Sequence, residues 1–435
     1  MPLRDLPGTD LRYYLIAFDG DGDERSDDPD GTISDLIINE IETTPVTDVF
    51  ILSHGWRGDL PAAQEQYDKW IGAMAAMASD RERIRQQRPD FRSLIVGFHW
   101  PSEPFGEEDF EDVDFSVDTA TIDSQVDRWA ERLADTPTAR QALRTIFEAA
   151  ADDPIPQQLS QEVVDAYLAL DREAGLGSDG AGAAPGSDRS GFDPEAAFQE
   201  SFDEDFGLFG ISLGGLLAPL KQLSFWKMKG RARRVGEGGG HAFFERIVNT
   251  RADLRVHLMG HSFGCIVVTS MVAGPPDAGG PSRQASSMAL VQGAVSHWAY
   301  CSDIPHEPGT AGYFQPFVAR RDVLGPVVAT TSGHDRALAW WYPKAAGVAG
   351  QVDFVPGVPA KYGAVGVAGI QGPGVDVSTA KIGSADENYG FEPGKVYNLT
   401  SDTVIKEGSF FSGAHSDIAH PELAHAVWEA IIAAP

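Results

Sequence analysis

Short apolar runs rich in aromatic and β-branched residues punctuate the first hundred positions: Tyr13 to Phe18, Val49 to Leu52 and Ser93 to Phe98. Each is too short for a helix and lacks polar alternation, so each predicts a strand buried on both faces. Between the last two, residues Pro61 to Arg83 read as a helix. Strand and helix in alternation predict a parallel sheet with helices on both sides. From about Ser102 the pattern changes. Residues Glu103 to Asp118 are heavily acidic, Gln125 to Ala151 and Gln158 to Glu173 read as helices, and Gly175 to Ser190 is a Gly/Ala/Ser/Asp stretch expected to be mobile.

Leu216 to Arg234 closes that stretch, with Pro219 suited to a first helical turn and Leu220, Leu223 and Trp226 at helical spacing. Alternation then resumes. A helix over Ala242 to Asn249 precedes a strand over Leu254 to Met259, and further strands follow at Ser287 to Ala294, Gly325 to Thr331 and Val396 to Leu399. Ala345 to Val377, rich in Gly and Val, reads as an irregular excursion, and Pro421 to Ala434 as a closing helix. The expected organisation is an α/β core in two parts, residues 1–104 and 241–435, around a largely helical insertion at 105–240 that acts as a cap or lid.

Composition narrows the field. No run approaches the roughly 18 apolar residues of a membrane span, and the first residues lack the apolar core of a signal peptide, so a soluble, cytoplasmic chain is expected. Two cysteines, Cys265 and Cys301, are too few for a disulfide scaffold or a zinc ribbon and are expected as buried thiols. A formal net charge of -30 (34 basic against 64 acidic residues) argues against nucleic acid and anionic lipid as partners, though it also fits adaptation to high salt.

Candidate chemistry centres on Gly260-His261-Ser262-Phe263-Gly264. A strand that turns abruptly into a helix holds a serine hydroxyl in the open and forces the residues two before and two after it into contact, which favours glycine at both. Gly260 and Gly264 fit, a strand precedes them, and the helical run Cys265-Ile266-Val267-Val268 follows. Gly210-Ile211-Ser212-Leu213-Gly214 matches the bare pattern too, but follows no clear strand, so Ser262 is the expected nucleophile and Ser212 structural.

With these pieces the chain resembles the α/β-hydrolase superfamily, in particular a group of microbial hydrolases with His-Gly-Trp after one strand and Gly-His-Ser-Phe-Gly after another. The resemblance covers residues 10–104 and 241–435. It implies that His54-Gly55-Trp56 forms the oxyanion loop, with backbone N–H donors from Trp56 and Phe263. It implies Asp335, in Ser332-Gly333-His334-Asp335, as the acid, with Asp303 the competitor, and His415 as the base rather than the neighbouring His334. His54 is expected to orient or pack. His420 and His425, five residues apart, are not expected to share a metal.

The implied function is cofactor-free hydrolysis of a carboxylic ester, esterase- or lipase-like, through an acyl-enzyme. Acyl transfer, peptide cleavage and a non-catalytic binding module stay open at this point. The expected partner is a small-molecule or lipid-like ester, lined by aromatic residues such as Trp56, Trp100, Trp298, Trp340 and Trp341. Two features suggest other uses. Asp19-Gly20-Asp21-Gly22-Asp23 has the carboxylate spacing of a calcium loop but carries Glu24 where an EF-hand needs glycine, so a solvated acidic loop is the preferred reading. Gly207 to Arg234, apolar and then basic, suits a lipid interface; the preferred reading is a helix packed on the core with its basic end paired to the insertion's acids. The residues do not predict oligomeric state.

Overall fold

Aliphatic and aromatic side chains drive a run such as Asp48–Ser53 into extended backbone, and burial of every residue along it marks a central strand covered from both faces. The computed structural model describes residues 3–9, 11–26, 31–56, 60–102, 119–178, 180–203, 215–341, 359–408 and 413–435. Its nine-stranded sheet comprises β1 (Leu3–Asp5), β2 (Arg12–Ala17), β3 (Asp48–Ser53), β4 (Ser93–His99), β5 (Arg255–His261), β6 (Ser287–Val291), β7 (Val327–Thr331), β8 (Val377–Lys381) and β9 (Val396–Thr400). Spatial order is β1-β2-β4-β3-β5-β6-β7-β9-β8. All neighbours are parallel except the β1/β2 pair. The expected α/β architecture with a mainly parallel, doubly wound sheet is present.

The helices are α1 (Ile33–Thr43), α2 (Leu60–Ala76), α3 (Ala78–Gln87), α4 (Thr119–Leu133), α5 (Pro137–Asp152), α6 (Gln161–Glu173), α7 (Pro194–Asp203), α8 (Ala218–Val235), α9 (His241–Thr250), α10 (Gly264–Ala273), α11 (Gln315–Arg320), α12 (Val365–Ala368) and α13 (Pro421–Ile432). Residues from α1, α8, α9 and α10 build the core on one face of the sheet; α2 and α13 cover the other. The chain winds from β3 to β4 on one side and from β5 to β6 on the other. Since β3 and β5 are neighbours, the connections leaving their carboxyl ends diverge, which opens a crevice there.

Several expectations are corrected in detail. The helix expected over Pro61 to Arg83 is two, α2 and α3, because Met77 takes a ψ of 70° that turns the chain. Gln125 to Ala151 likewise divides where Thr136 caps α5, its hydroxyl accepting from the Ala139 N–H, and Pro137 fills the first turn. Within the excursion at 345–377 the described residues include α12, and the edge strand β8 begins at its last residue. That strand's sequence, Val-Ser-Thr-Ala-Lys, has too little apolar content to register as one, and α1 was also not anticipated.

The inserted helices have a core of their own, built from α4 to α7 and closed by Leu220 and Leu223 of α8. Further along α8, Phe225, Trp226, Met228, Ala232 and Val235 pack into the main core. Lys229 is fully buried and ion-paired with Asp188, its ammonium 4.9 Å from the centre of the Trp226 ring. Burial pulls the lysine down to about 8, against the opposing pull of Asp188. The expected packing describes α8 and the expected ion pairing holds at Lys229, whereas Lys227 and Arg231 donate to the carbonyls of Ala174 and Pro101; residues 204–214 lie outside the described part. Among the described residues no helix is long and apolar enough to cross a membrane.

On the sheet face that they share, α3 is tied to α13. His425 Nδ1 bonds Asp80 Oδ2 at 2.8 Å, its Nε2 bonds the Glu387 carbonyl at 2.6 Å, and Arg83 bridges Glu429 and Asp80. Burial opposes charge on the ring, but Asp80, the Glu387 carbonyl and the Glu429 charge outweigh it and hold His425 above the usual histidine value. A group raised on folding stabilises fully below its unfolded value near 6.5, and that contribution fades as pH climbs through the folded value. We expect His425→Gln to lose most stability relative to the parent below pH ~6.5 and progressively less above it. Urea unfolding of both proteins across this range checks it, and a pH-independent difference would refute it.

Candidate active site

The turn from β5 into α10 is built by close backbone contact. A β-carbon on Gly260 would lie 2.5 Å from the Gly264 carbonyl oxygen, and one on Gly264 would lie 2.2 Å from that of Ser53, so both positions exclude a side chain. Between them Ser262 adopts φ 55°, a left-handed conformation costly for any residue but glycine. Two bonds hold it there. Its N–H donates to the Val291 carbonyl and its carbonyl accepts from the Ala294 N–H, each at 3.1 Å, so the chain leaving β6 grips the serine from both sides.

β3 lies alongside, with Ser53 in register with Gly260. Its exit carries His54-Gly55-Trp56 against the serine: a β-carbon on Gly55 would sit 2.6 Å from that of Ser262. His54 is completely buried, its Nε2 3.0 Å from His99 Nδ1 and its ring stacked on Trp100. Burial and the neighbouring His99 push it down to about 3, so it is neutral, in keeping with the expected packing role. The Trp56 ring stands 6.0 Å from Phe263 and 5.7 Å from Phe225 of α8. Phe263 immediately precedes α10, where backbone N–H groups point outward and favour developing negative charge; among the described residues no backbone carbonyl accepts from the Phe263 N–H.

Two loops bring the remaining side chains. Asp335 follows β7 and His415 precedes α13, and the Ala414 N–H donates to the His334 carbonyl at 3.0 Å, locking one loop to the other. The Ser262 hydroxyl donates to His415 Nε2 at 2.8 Å, and His415 Nδ1 donates to Asp335 Oδ2 at 2.7 Å. Asp335 is wholly buried, while Ser262 is 3% exposed. Serine, histidine and aspartate thus form one hydrogen-bonded chain from the three residues the sequence singled out. Such an arrangement lets the imidazole accept the hydroxyl proton while the carboxylate fixes the ring's tautomer and balances its charge.

The competitors are elsewhere. Asp303 binds the Gly309 N–H at 2.6 Å in its own loop, and His334 is exposed. Ser212 lies outside the described residues. The expected aromatic pocket is corrected at two positions: Trp100 and Trp298 are buried core residues whose indole N–H groups donate to the carbonyls of His54 and Ala360. The side chains of Trp340 and Trp341 are outside the description. Both cysteines are buried and unpaired, as expected.

Sequence reasoning missed a supporting layer. Gln292, fully buried with φ 45°, directly follows the residue that holds the Ser262 N–H, and its Nε2 donates to Asp335 Oδ2 at 2.9 Å. Its orientation is fixed, since Thr330 Oγ1 donates to Gln292 Oε1 at 3.0 Å and accepts from the Gln292 N–H at 2.9 Å. Leu338 N–H donates to the other carboxylate oxygen at 3.0 Å. A lone amide at the carboxyl end of an otherwise apolar strand was the available signal. His261, read only as part of the turn, accepts from Gln66 Nε2 at 2.9 Å and so donates from its own Nε2 to the His415 carbonyl at 2.8 Å, tying the turn to the His415 loop.

Removing the Gln292 amide should weaken positioning without removing any reacting group. Hydrogen bonds to charged groups contribute roughly 1.5–3 kcal/mol, so we expect Gln292→Leu to lower kcat about tenfold to a hundredfold with KM little changed. A lowered melting temperature with unchanged kcat would make the residue merely structural.

Metal-ligating potential is concentrated away from this site. Among the described residues, Asp80, His425 and Glu429 are the group close enough to share an ion, and Arg83 already bonds both carboxylates. His420 instead pairs with Asp417 at 2.6 Å, so the two histidines do not converge. In the acidic loop, Asp19 accepts from the N–H groups of Asp21, Gly22 and Asp23 and so caps its own turn. Compared with known proteins, the chain matches no family model, no curated protein and no solved structure.

Proposed function

We propose that the chain is a serine hydrolase of the α/β-hydrolase type, cleaving a carboxylic ester in the manner of an esterase or lipase. The observation that carries this reading is the hydrogen-bonded chain Ser262-His415-Asp335 at the crevice where the connections of β3 and β5 diverge. Ser262 Oγ attacks the acyl carbonyl as its proton passes to His415 Nε2. The resulting oxyanion receives the Phe263 and Trp56 N–H groups, and Asp335 stabilises the imidazolium. On collapse, the ester C–O bond breaks and His415 returns the proton to the departing alcohol. Water, deprotonated by His415, then releases the acid from the acyl-enzyme and restores the serine.

The aromatic group of Trp56, Phe225 and Phe263 favours an apolar acyl or alcohol portion in the substrate. Because Phe225 belongs to α8, the insertion forms part of this wall, which supports its role as a cap. The test is reaction of the folded protein with a fluorophosphonate probe, followed by a chain-length series of p-nitrophenyl esters. One probe per chain and ester turnover are expected. Folded protein that takes up no probe and turns over no ester would mark a binding module.

A further inference from the structure

On the sheet face covered by α2 and α13, opposite the face that packs α10, lies a second feature. Between the end of α2, the start of α3, the first residues of β4 and α13 lies a cavity of about 290 Å³. Because α2 follows β3 and returns along the sheet, its last turns reach the amino-terminal side of the strands, opposite the edge that carries Ser262. The cavity's floor is apolar: Phe50, Leu52, Ile71, Met74 and Trp428 face it, and the Trp428 N–H is already spent on the Met74 carbonyl at 3.0 Å. Behind it a void of about 20 Å³ shares Phe50, Leu52 and Met74.

Arg81, Arg85 and Arg92 line the same cavity. In a chain with 64 acidic residues against 34 basic ones, arginines readily find carboxylates, and two neighbours do: Arg83 pairs with Asp80 and Glu429, and Arg88 with Asp48. The three at the cavity do not. Arg81 donates to the Ala75 carbonyl and Arg92 to that of Phe91, both at 2.9 Å, and among the described residues none of the three is ion-paired with a carboxylate. Three guanidinium groups without carboxylates beside an apolar chamber make a positive mouth over a hydrocarbon-like interior.

We infer that this cavity binds an anionic amphiphile, its carboxylate- or phosphate-type head held by Arg81, Arg85 and Arg92 and a medium-length apolar chain over Phe50, Met74 and Trp428. The volume, near the roughly 300 Å³ lower end of ligand pockets, limits the chain's length. The site is independent of ester hydrolysis and holds even if Ser262 is inert.

Photolabelling of the full chain with a diazirine-bearing decanoate, followed by peptide mapping, tests it. Saturable labelling of the stretch from Ile71 to Ile95, or of Trp428, is expected. Decanoate should compete and decanol should not; decyl phosphate competing as well as decanoate would assign the site to any anionic head, and its failure would restrict it to carboxylates. The double variant Arg85→Glu/Arg92→Glu changes only surface charge and should weaken decanoate binding at least about tenfold by calorimetry. Ala75→Trp, which fills the chamber, should abolish it. Labelling confined to the Trp56 and Phe263 region, equal competition by decanol, or undiminished binding by a folded charge-reversal variant would overturn the proposal.

Discussion

Ser262→Ala is expected to lower ester turnover by on the order of 10⁴-fold or more and to eliminate fluorophosphonate labelling, since both need the same oxygen. The left-handed backbone at this position is fixed by β6 and not by the hydroxyl, so alanine inherits the conformation without new strain and the variant should melt close to the parent. Residual turnover would come from the N–H donors and from substrate binding. Ser212→Ala, at the other Gly-x-Ser-x-Gly, should leave labelling and turnover intact. Labelling that survives in the Ser262 variant and vanishes in the Ser212 variant would overturn the assignment.

Asp335→Asn carries the second large effect, through hydrogen-bond direction and the loss of a buried negative charge. Oδ2 of Asp335 accepts from both His415 and Gln292, while Oδ1 accepts from the Leu338 N–H. An amide nitrogen placed at the first position meets two donors; placed at the second, it meets one. The Gln292 amide cannot turn to help, because Thr330 fixes its orientation. In either arrangement the imidazolium loses the carboxylate charge that balances it, and in the first His415 must also move its proton to Nε2, where it can no longer accept from the serine. A fall in kcat on the order of 10⁴ is expected, with KM little altered. Stability should drop by roughly 1–3 kcal/mol for the buried mismatch. Steady-state kinetics and urea unfolding check both, and parental kcat in the Asp335→Asn variant would remove Asp335 from the mechanism.

Much of the frame was legible because buried parallel strands advertise themselves as continuous apolar runs, and β3, β4 and β5 did so. Polar edges do not. β8 borders the sheet with a sequence that suits solvent as well as a strand, so only its pairing with β9 defines it. At the site, Ser262 was legible through local steric demands that leave glycines behind. Asp335 and His415 were reached only through the order of loops in a resembling family, since nothing local distinguishes a loop histidine that bonds a serine from any other. Gln292 left only the trace of a lone amide after an apolar strand, and Gln66 left none, because the significance of both lies in hydrogen bonds that cross elements far apart in sequence.

Helix α8 belongs to two cores, closing the inserted bundle with Leu220 and Leu223 and then entering the main core from Phe225 to Val235. Its residues would be counted twice in any attempt to treat the insertion as a detachable module. Melting the helical bundle would strip apolar cover from the helix that backs the turn bearing Ser262, so the two cores are expected to unfold in one transition.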